Sequence, residues 1–399
     1  VPNSWLDLLT ESTRELEPPE RFWWWSGLST IASIVKKGVY LDRFSYVLYP
    51  NVYVVLVSAQ SGLRKGVPIS WAKSVLEILD CTRTISGQYS FPEVIHELSQ
   101  QVTTSTGKVY NEAQALLCAP ELDSFLLGDD KSLPTLTDLY DTHAHKIEWK
   151  KGLKSGKEIL KKPCINILGA SNEELFEDVV KTRDIKGGFL ARTFIIHERK
   201  RRVNNSLMER PKDLLTLQDL ADPLKRLIGL TGEFKIPTPV RRHYDKWYND
   251  ISDAQIEDNT GTMDRLGDSV LKVAMLVSLA KSNDLIIDID SLREAIAKCE
   301  ATMPGIRRVS MNGKSEISPI IAEVTKLLVD SPDRIVERSF LLRRIRCEPL
   351  QLDRAIDTLV QSDILEEPGT MRHPITDKLV CRMTKEAYEK FLNELRNQP

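Results

Sequence analysis

Apolar residues along this chain follow two rhythms. Four short stretches, Tyr46–Val57, Ala115–Ala119, Cys164–Gly169 and Phe189–His197, are mostly apolar, and the first is dense in β-branched and aromatic side chains. Runs of this kind suit strands buried on both faces. Between them lie polar or helically spaced segments, including Val67–Leu79. That alternation predicts an α/β core with a mostly parallel sheet under helices. Ahead of it, residues 3–37 have helical spacing broken at Pro18 and Pro19, followed by Phe22-Trp23-Trp24-Trp25 through Ile34. Three consecutive tryptophans cannot share one helix face, so the segment is expected to pack on several sides rather than to offer a base-stacking platform.

Beyond Pro211 helical spacing dominates: Leu214–Leu230, Pro239–Gln255, Met263–Lys281 and Ser291–Arg308. These predict an all-α unit. After Gly313 and Lys314, helices over Ile317–Val329, Ser339–Ile345 and Leu350–Ser362, with two short strands around Pro368–Pro374, predict a winged-helix-like tail. The expected division is an N-terminal helical segment (1–45), a nucleotide-binding core (46–210), a helical lid (211–312) and the tail (313–399).

A chain of 399 residues is long enough for two or three such units. Its 41% hydrophobic and 28% charged content is that of a water-soluble globular protein. No apolar run approaches the roughly 18 residues that span a bilayer, so membrane insertion is not expected. The opening stretch carries Glu11, Glu15 and Glu17 and does not read as a secretory signal. Six cysteines are scattered without CxxC or Cys/His ligand spacing, which predicts free thiols and a reducing, cytoplasmic setting. A net charge of −2 gives the whole chain no nucleic-acid signature, so any basic surface is local.

The strongest candidate chemistry begins where the first strand ends. Val54-Val55-Leu56-Val57-Ser58-Ala59-Gln60-Ser61-Gly62-Leu63-Arg64-Lys65-Gly66 is a strand and turn leading into a helix. In that order, backbone N–H groups at the helix start can surround phosphate oxygens while Lys65 supplies a mobile charge. Against G-x-x-x-x-G-K-[ST], Ala59 takes the first glycine position, Arg64 the second, and Gly66 the magnesium-binding hydroxyl. A plain strand–loop–helix turn is the alternative. Some sixty residues on, Leu116-Leu117-Cys118-Ala119-Pro120-Glu121 sets Glu121 at a strand tip, where a carboxylate can activate the water that attacks a γ-phosphate. Pro120 replaces the usual preceding aspartate; Asp123 is a candidate substitute magnesium ligand or a helix cap. Asn172, after Ile165–Ala170, can bond that water or the γ-phosphate, or cap the next helix. Arg192, after Gly187-Gly188-Phe189-Leu190-Ala191, can stabilise phosphate charge on a neighbouring subunit's nucleotide, or form a surface ion pair.

In order and spacing these segments resemble the helicase-like P-loop ATPases, the DUF3987-like domains that accompany primases in phage, plasmid and mobile-element replication proteins. The resemblance rests on Ser61-Gly62-Leu63-Arg64-Lys65-Gly66, Pro120-Glu121-Leu122-Asp123-Ser124-Phe125-Leu126, Leu139-Tyr140-Asp141, Asn166–Asn172 and Gly187–Arg192. It implies a RecA/AAA+-type ATPase that binds ATP and Mg2+ and forms a hexameric ring on single-stranded or forked DNA, beside a primase domain or partner. It also implies Lys65 as phosphate lysine, Glu121 as catalytic acid, Asn172 as sensor and Arg192 as trans-acting arginine. Arg265 and Lys272, in Arg265-Leu266-Gly267-Asp268-Ser269-Val270-Leu271-Lys272, resemble a lid segment that reaches the nucleotide.

Two basic runs bear on partners. Trp149-Lys150-Lys151-Gly152-Leu153-Lys154-Ser155-Gly156-Lys157 reads as a hairpin whose Lys150, Lys151, Lys154 and Lys157 can meet DNA phosphates and whose Trp149 can stack a base; a solvated hairpin is the alternative. His197-Glu198-Arg199-Lys200-Arg201-Arg202 fits DNA, an adjacent subunit or a charged linker. In the tail, Leu350–Ser362 has Arg354 among Asp353, Asp357 and Asp363, which favours a protein contact over base readout. The expected function is an ATP-dependent, helicase-like DNA motor. An ATP-dependent initiator or loader without processive unwinding is the second reading, and a small-molecule kinase the third.

Overall fold

The computed structural model of the chain describes residues 3–58, 61–87, 89–103, 107–122, 132–141, 148–153, 156–173, 176, 188–205, 211, 214–253, 261–303, 318–331, 333–367, 369–373 and 377–396. It divides into two compact units, Val1–Ser310 and Met311–Pro399. The first holds α1 (Trp5–Ser12), α2 (Glu20–Val35), β1 (Val39–Asp42), β2 (Val47–Leu48), β3 (Tyr53–Ser58), α3 (Gly66–Leu79), β4 (Arg83–Ser86), α4 (Phe91–Ser99), β5 (Val102–Thr103), β6 (Val109–Tyr110) and β7 (Gln114–Ala119). Then come α5 (Ser132–Tyr140), β8 (Glu148–Leu153), β9 (Gly156–Lys161), β10 (Cys164–Asn172), β11 (Thr193–His197), α6 (Leu217–Ala221), β12 (Gly232–Glu233), α7 (Thr238–Asp253), α8 (Thr262–Lys281) and α9 (Ile289–Glu300). The fold class is α/β.

Five parallel strands form the central sheet in the order β11-β3-β10-β7-β4. Both faces are covered, which is why β3 is buried at all six positions. Alternate residues divide between two cores: Val54, Leu56, Leu168 and Ile196 pack with α2, α3 and α8, while Tyr53, Val55, Ile167 and Ile195 pack with α4 and α5. Tyr46–Val57, expected as one strand, is two. Pro50 lacks an N–H for the ladder, so β2 stops at Leu48 and pairs antiparallel with β1, and β3 starts afresh at Tyr53.

Residues 1–45 and 211–303 do not stand apart from the sheet. Trp23, Trp24 and Trp25 are at most 2% exposed. Trp25 meets Phe194 of β11 at 4.6 Å and Trp23 meets Trp71 of α3 at 5.2 Å between ring centroids. One hydrophobic cluster runs from Trp5 to Cys299, so the tryptophan run is core, as its spacing required. Leu214–Leu230 gives only the short α6 and a 3-10 turn, because Pro223 stops an α-helix there. No helix among the described residues is long and apolar enough to cross a membrane. The cysteines are free, and all but Cys347 are buried.

The second unit holds α10 (Ser318–Val329), β13 (Ile335–Glu337), α11 (Arg338–Ile345), α12 (Pro349–Gln361), β14 (Met371–Arg372), β15 (Leu379–Arg382) and α13 (Lys385–Arg396). Its strands form an antiparallel sheet, β13-β15-β14. Val324, Leu328, Leu341, Leu352, Leu359 and Cys381 make a core of its own.

Candidate functional site

In an open parallel sheet, ligands meet the chain beyond the carboxyl ends of the strands, where the connections leave for opposite faces. At the end of β3, Ser61–Leu63 forms one 3-10 turn, Arg64 adopts a left-handed φ of 54°, and Lys65 caps α3. Arg64 thus keeps the backbone shape that the motif's glycine would supply without strain; for a non-glycine residue this costs about 1–3 kcal/mol. In the first turn of α3 Pro68 has no N–H and the Val67 N–H donates to the Arg64 carbonyl at 2.9 Å, so an anion there would meet chiefly the Gly66 N–H and the Lys65 ammonium. Lys65 Nζ donates to Ser58 Oγ at 2.8 Å, which holds the ammonium over the end of β3. The Ser61 side chain lies outside the described residues.

Strand register brings the other predicted groups to this edge. Asn172 of β10 pairs with Ser58 of β3, and Gly169 pairs with Ala119, the last residue of β7. Lys65, Asn172 and Glu121 therefore lie along adjoining strand ends. Asn172 and Glu121 are both exposed. Glu121 borders a cavity of about 380 Å³ whose walls include Gly66, Ser70, Ile85, Tyr89 and Leu117.

The residues at this edge do not fit a magnesium ion in the way the motif demands. Gly66, first in α3, offers no side-chain hydroxyl, and Pro120 offers no carboxylate. Asp123 lies outside the described residues. Among those described, no group of three or more His, Cys, Asp or Glu could hold a metal.

Arg192, Arg265 and Lys272 belong to the opposite edge of the sheet. Arg192 precedes β11, is 9% exposed, and donates to Asp141 Oδ2 at 2.9 Å and to the Gly188 carbonyl at 2.8 Å. Arg265 of α8 reaches Asp141 Oδ1 at 3.2 Å. Burial raises the pKa of Asp141, but the Arg192 hydrogen bond and both arginine charges outweigh it and hold the carboxyl below its usual range. Lys272, 4% exposed, donates to Asn51 Oδ1 at 2.8 Å and lies 3.7 Å from the centre of the Tyr140 ring. These groups border a cavity of about 200 Å³ with Tyr46 and Asp268. Asn51 precedes β3 and Ser58 ends it, so this cluster stands roughly 20 Å from the phosphate loop at about 3.3 Å per residue. Arg265 and Lys272, expected as a lid segment that reaches the nucleotide, thus lie on a helix packed at the amino-terminal edge of the sheet. Arg192 makes an ion pair, and a buried one rather than a surface one.

The hairpin forms as β8 and β9, with Trp149 opposite Leu160, Lys150 opposite Ile159, Lys151 opposite Glu158 and Gly152 opposite Lys157. Leu160 is wholly buried and Glu158 meets His96 and Ser99 of α4, so that side of the ribbon faces protein. Lys150, exposed, takes the other side by strand alternation, and the side chains of Trp149, Lys151 and Lys157 lie outside the described residues. Lys154 lies outside the described residues.

Sequence reasoning missed the fate of the second basic run. Part of it is tied to the N-terminal segment, since Glu198 pairs with Arg21, Arg201 with Glu17 and Arg202 with Glu20, while Arg199 and Lys200 are exposed. Glu11, Glu15 and Glu17 before a Pro-Pro break, set against a run of four cations, were the available signal. Glu17 is 4% exposed and takes a second bond from Arg64. The Arg64 hydrogen bond, with the charge of Arg201, holds its carboxyl below the usual range despite burial.

No protein-family model and no curated protein matches this chain.

Proposed function

We propose that this chain is a RecA/AAA+-type P-loop ATPase that works as a helicase-like motor on DNA. The observation that carries the nucleotide half is Lys65 at the start of α3 with Asn172 and Glu121 on the adjoining strand ends. In this reading Lys65, with the Gly66 N–H at the start of α3, holds the phosphates, Asn172 bonds the γ-phosphate or its attacking water, and Glu121 accepts that water's proton. The DNA half draws on the β8–β9 ribbon, whose Lys150 is exposed on the side away from Leu160 and whose register places positions 150 and 157 on alternate residues of that same side. Helices α10, α11 and α12 with a three-stranded antiparallel sheet support a winged-helix reading of the tail, to which α13 is added.

The poor magnesium fit at Gly66 and Pro120 favours a second reading, an ATP-dependent initiator or loader that assembles on DNA without processive unwinding. ATPase assays with and without single-stranded DNA, beside native mass measurement, separate the two. DNA-stimulated turnover by a hexamer supports the motor, and nucleotide binding without turnover supports the loader. Lys65→Ala should abolish ATP binding and Glu121→Gln should keep binding but slow any hydrolysis by orders of magnitude. Unchanged ATP affinity in Lys65→Ala rejects both readings.

A further inference from the structure

Two arginines flank the phosphate loop, and neither role follows from the P-loop pattern. Arg201, four residues beyond β11, lays its guanidinium on the loop backbone: a Cβ added to Gly62 would lie 2.7 Å from its NH2 nitrogen. Arg64 stands immediately before Lys65. Both guanidiniums hold one buried carboxylate, Glu17, with Arg201 NH1 at 2.7 Å from Oε1 and Arg64 Nε at 3.1 Å from Oε2. Both are accessible, at 40% and 50% side-chain exposure. The backbone beneath Arg201 is fixed, because the Arg202 N–H donates to the Glu17 carbonyl at 3.0 Å and Arg202 NH1 donates to the Thr10 carbonyl at 2.9 Å. A carboxylate between two guanidiniums offers them the same planar, two-oxygen recognition that a phosphate does.

Among the described residues, the two positions from which the P-loop pattern would offset triphosphate charge through magnesium carry Gly66, without a hydroxyl, and Pro120, without a carboxylate. Arg64, Lys65 and Arg201 put three positive charges there, and among the described residues Glu17 pairs with two of them. We propose that Arg201, with Arg64, binds the nucleotide's outer phosphates within its own subunit in place of magnesium, and that Glu17 holds both guanidiniums until phosphate takes over. This rests on the phosphate-loop reading. It makes Arg201 a cis ligand, whereas Arg192 is committed to Asp141 at the far edge.

The test is ATP titration of the full chain by calorimetry, once with magnesium and once with EDTA. Wild-type protein should bind ATP in EDTA within a few-fold of its affinity in magnesium. Arg201→Ala should weaken ATP by about ten- to a hundredfold in both buffers, the value of one charged hydrogen-bonded contact. Because that variant leaves Glu17 with one partner fewer, the double variant Glu17→Gln/Arg201→Ala removes the stranded charge and should show the same loss with a native melting profile. Glu17→Gln alone should bind ATP more tightly. Binding that requires magnesium, or that is untouched in the folded double variant while Lys65→Ala abolishes it, overturns the arginine role and leaves the loop standing. No ATP binding by wild type overturns both.

Discussion

Lys272 shows how far burial can move one charge. Removal from water drives its pKa from 10.5 down to about 7, against the opposing pull of Asp141 and Asp268. The unfolded chain then binds one more proton than the folded chain between about pH 7 and 10.5, so this group's contribution makes stability rise with pH through that window. Below it the desolvation penalty is present in full. The slope cannot exceed about 1.4 kcal/mol per pH unit. Lys272→Met should remove it, so wild type should gain on the variant in urea midpoint between pH 7 and 9.5. A constant difference across that range means Lys272 titrates near its ordinary value in the folded state. Gly66 permits a complementary gain-of-function trial, since a Cβ there meets nothing within 4 Å. Gly66→Ser should fold normally and restore the missing hydroxyl, and its ATP affinity should rise with added magnesium more than that of wild type. An equal magnesium response in both proteins would leave the hydroxyl irrelevant. Neither the Glu17–Arg201 pair nor the Lys272–Asn51 bond was legible in the sequence. Each joins residues more than 180 positions apart, and no local spacing records which distant charges will meet.

Elements were more legible than residues because the sheet is buried on both faces and its strands announce themselves as apolar runs. The β7, β10 and β11 segments were found close to their observed bounds, and Gly66–Leu79 differs from its expected helix by one residue. The Tyr46–Val57 run was misjudged where Pro50 interrupts it. For the β8–β9 ribbon, composition alone treated four lysines and a tryptophan as one DNA-facing set, but period-two alternation divides them. By register, positions 150 and 157 fall on one side of the ribbon and positions 149 and 151 on that of Leu160 and Glu158, whose side chain contacts α4. If the ribbon binds single-stranded DNA, changing Lys150 and Lys157 together to Ala should flatten the log–log salt dependence by up to about 1.4, at about 0.7 per contact. Lys151→Ala should flatten it less, and Trp149→Ala should lower the melting temperature while leaving DNA affinity nearly constant. A Trp149→Ala protein of native stability that loses roughly 1–3 kcal/mol of DNA binding would put a stacked base on that tryptophan instead.

At the scale of the molecule, the N-terminal helices act as an interior beam, while the tail carries its own core. The indole N–H of Trp5 donates to the Leu220 carbonyl at 2.8 Å, that of Trp24 to Glu294 at 3.2 Å, and Arg21 to the Ala301 carbonyl at 2.8 Å. Helix α2 is buried from Phe22 to Val35, between the sheet and the helices that follow it. Its apolar residues run right round the helix, so it has no solvent face to turn outward. Residues 311–399, by contrast, close their own cluster around Val324, Leu341 and Leu359. Truncation should therefore act very differently at the two ends. Residues 1–310 alone should unfold cooperatively by circular dichroism and keep the ATP affinity of the full chain. Residues 38–399 should lose the cooperative transition of the first unit, because four buried tryptophans, Trp5, Trp23, Trp24 and Trp25, go with the deletion and each large-to-small loss of this kind costs about 3–5 kcal/mol. That sum exceeds the usual 5–15 kcal/mol stability of a domain, or nearly so. A protein of residues 38–399 that still melts in two transitions and binds ATP would mean that α2 covers the sheet without supporting it. Loss of ATP binding from a well-folded 1–310 fragment would instead place part of the nucleotide site in the tail.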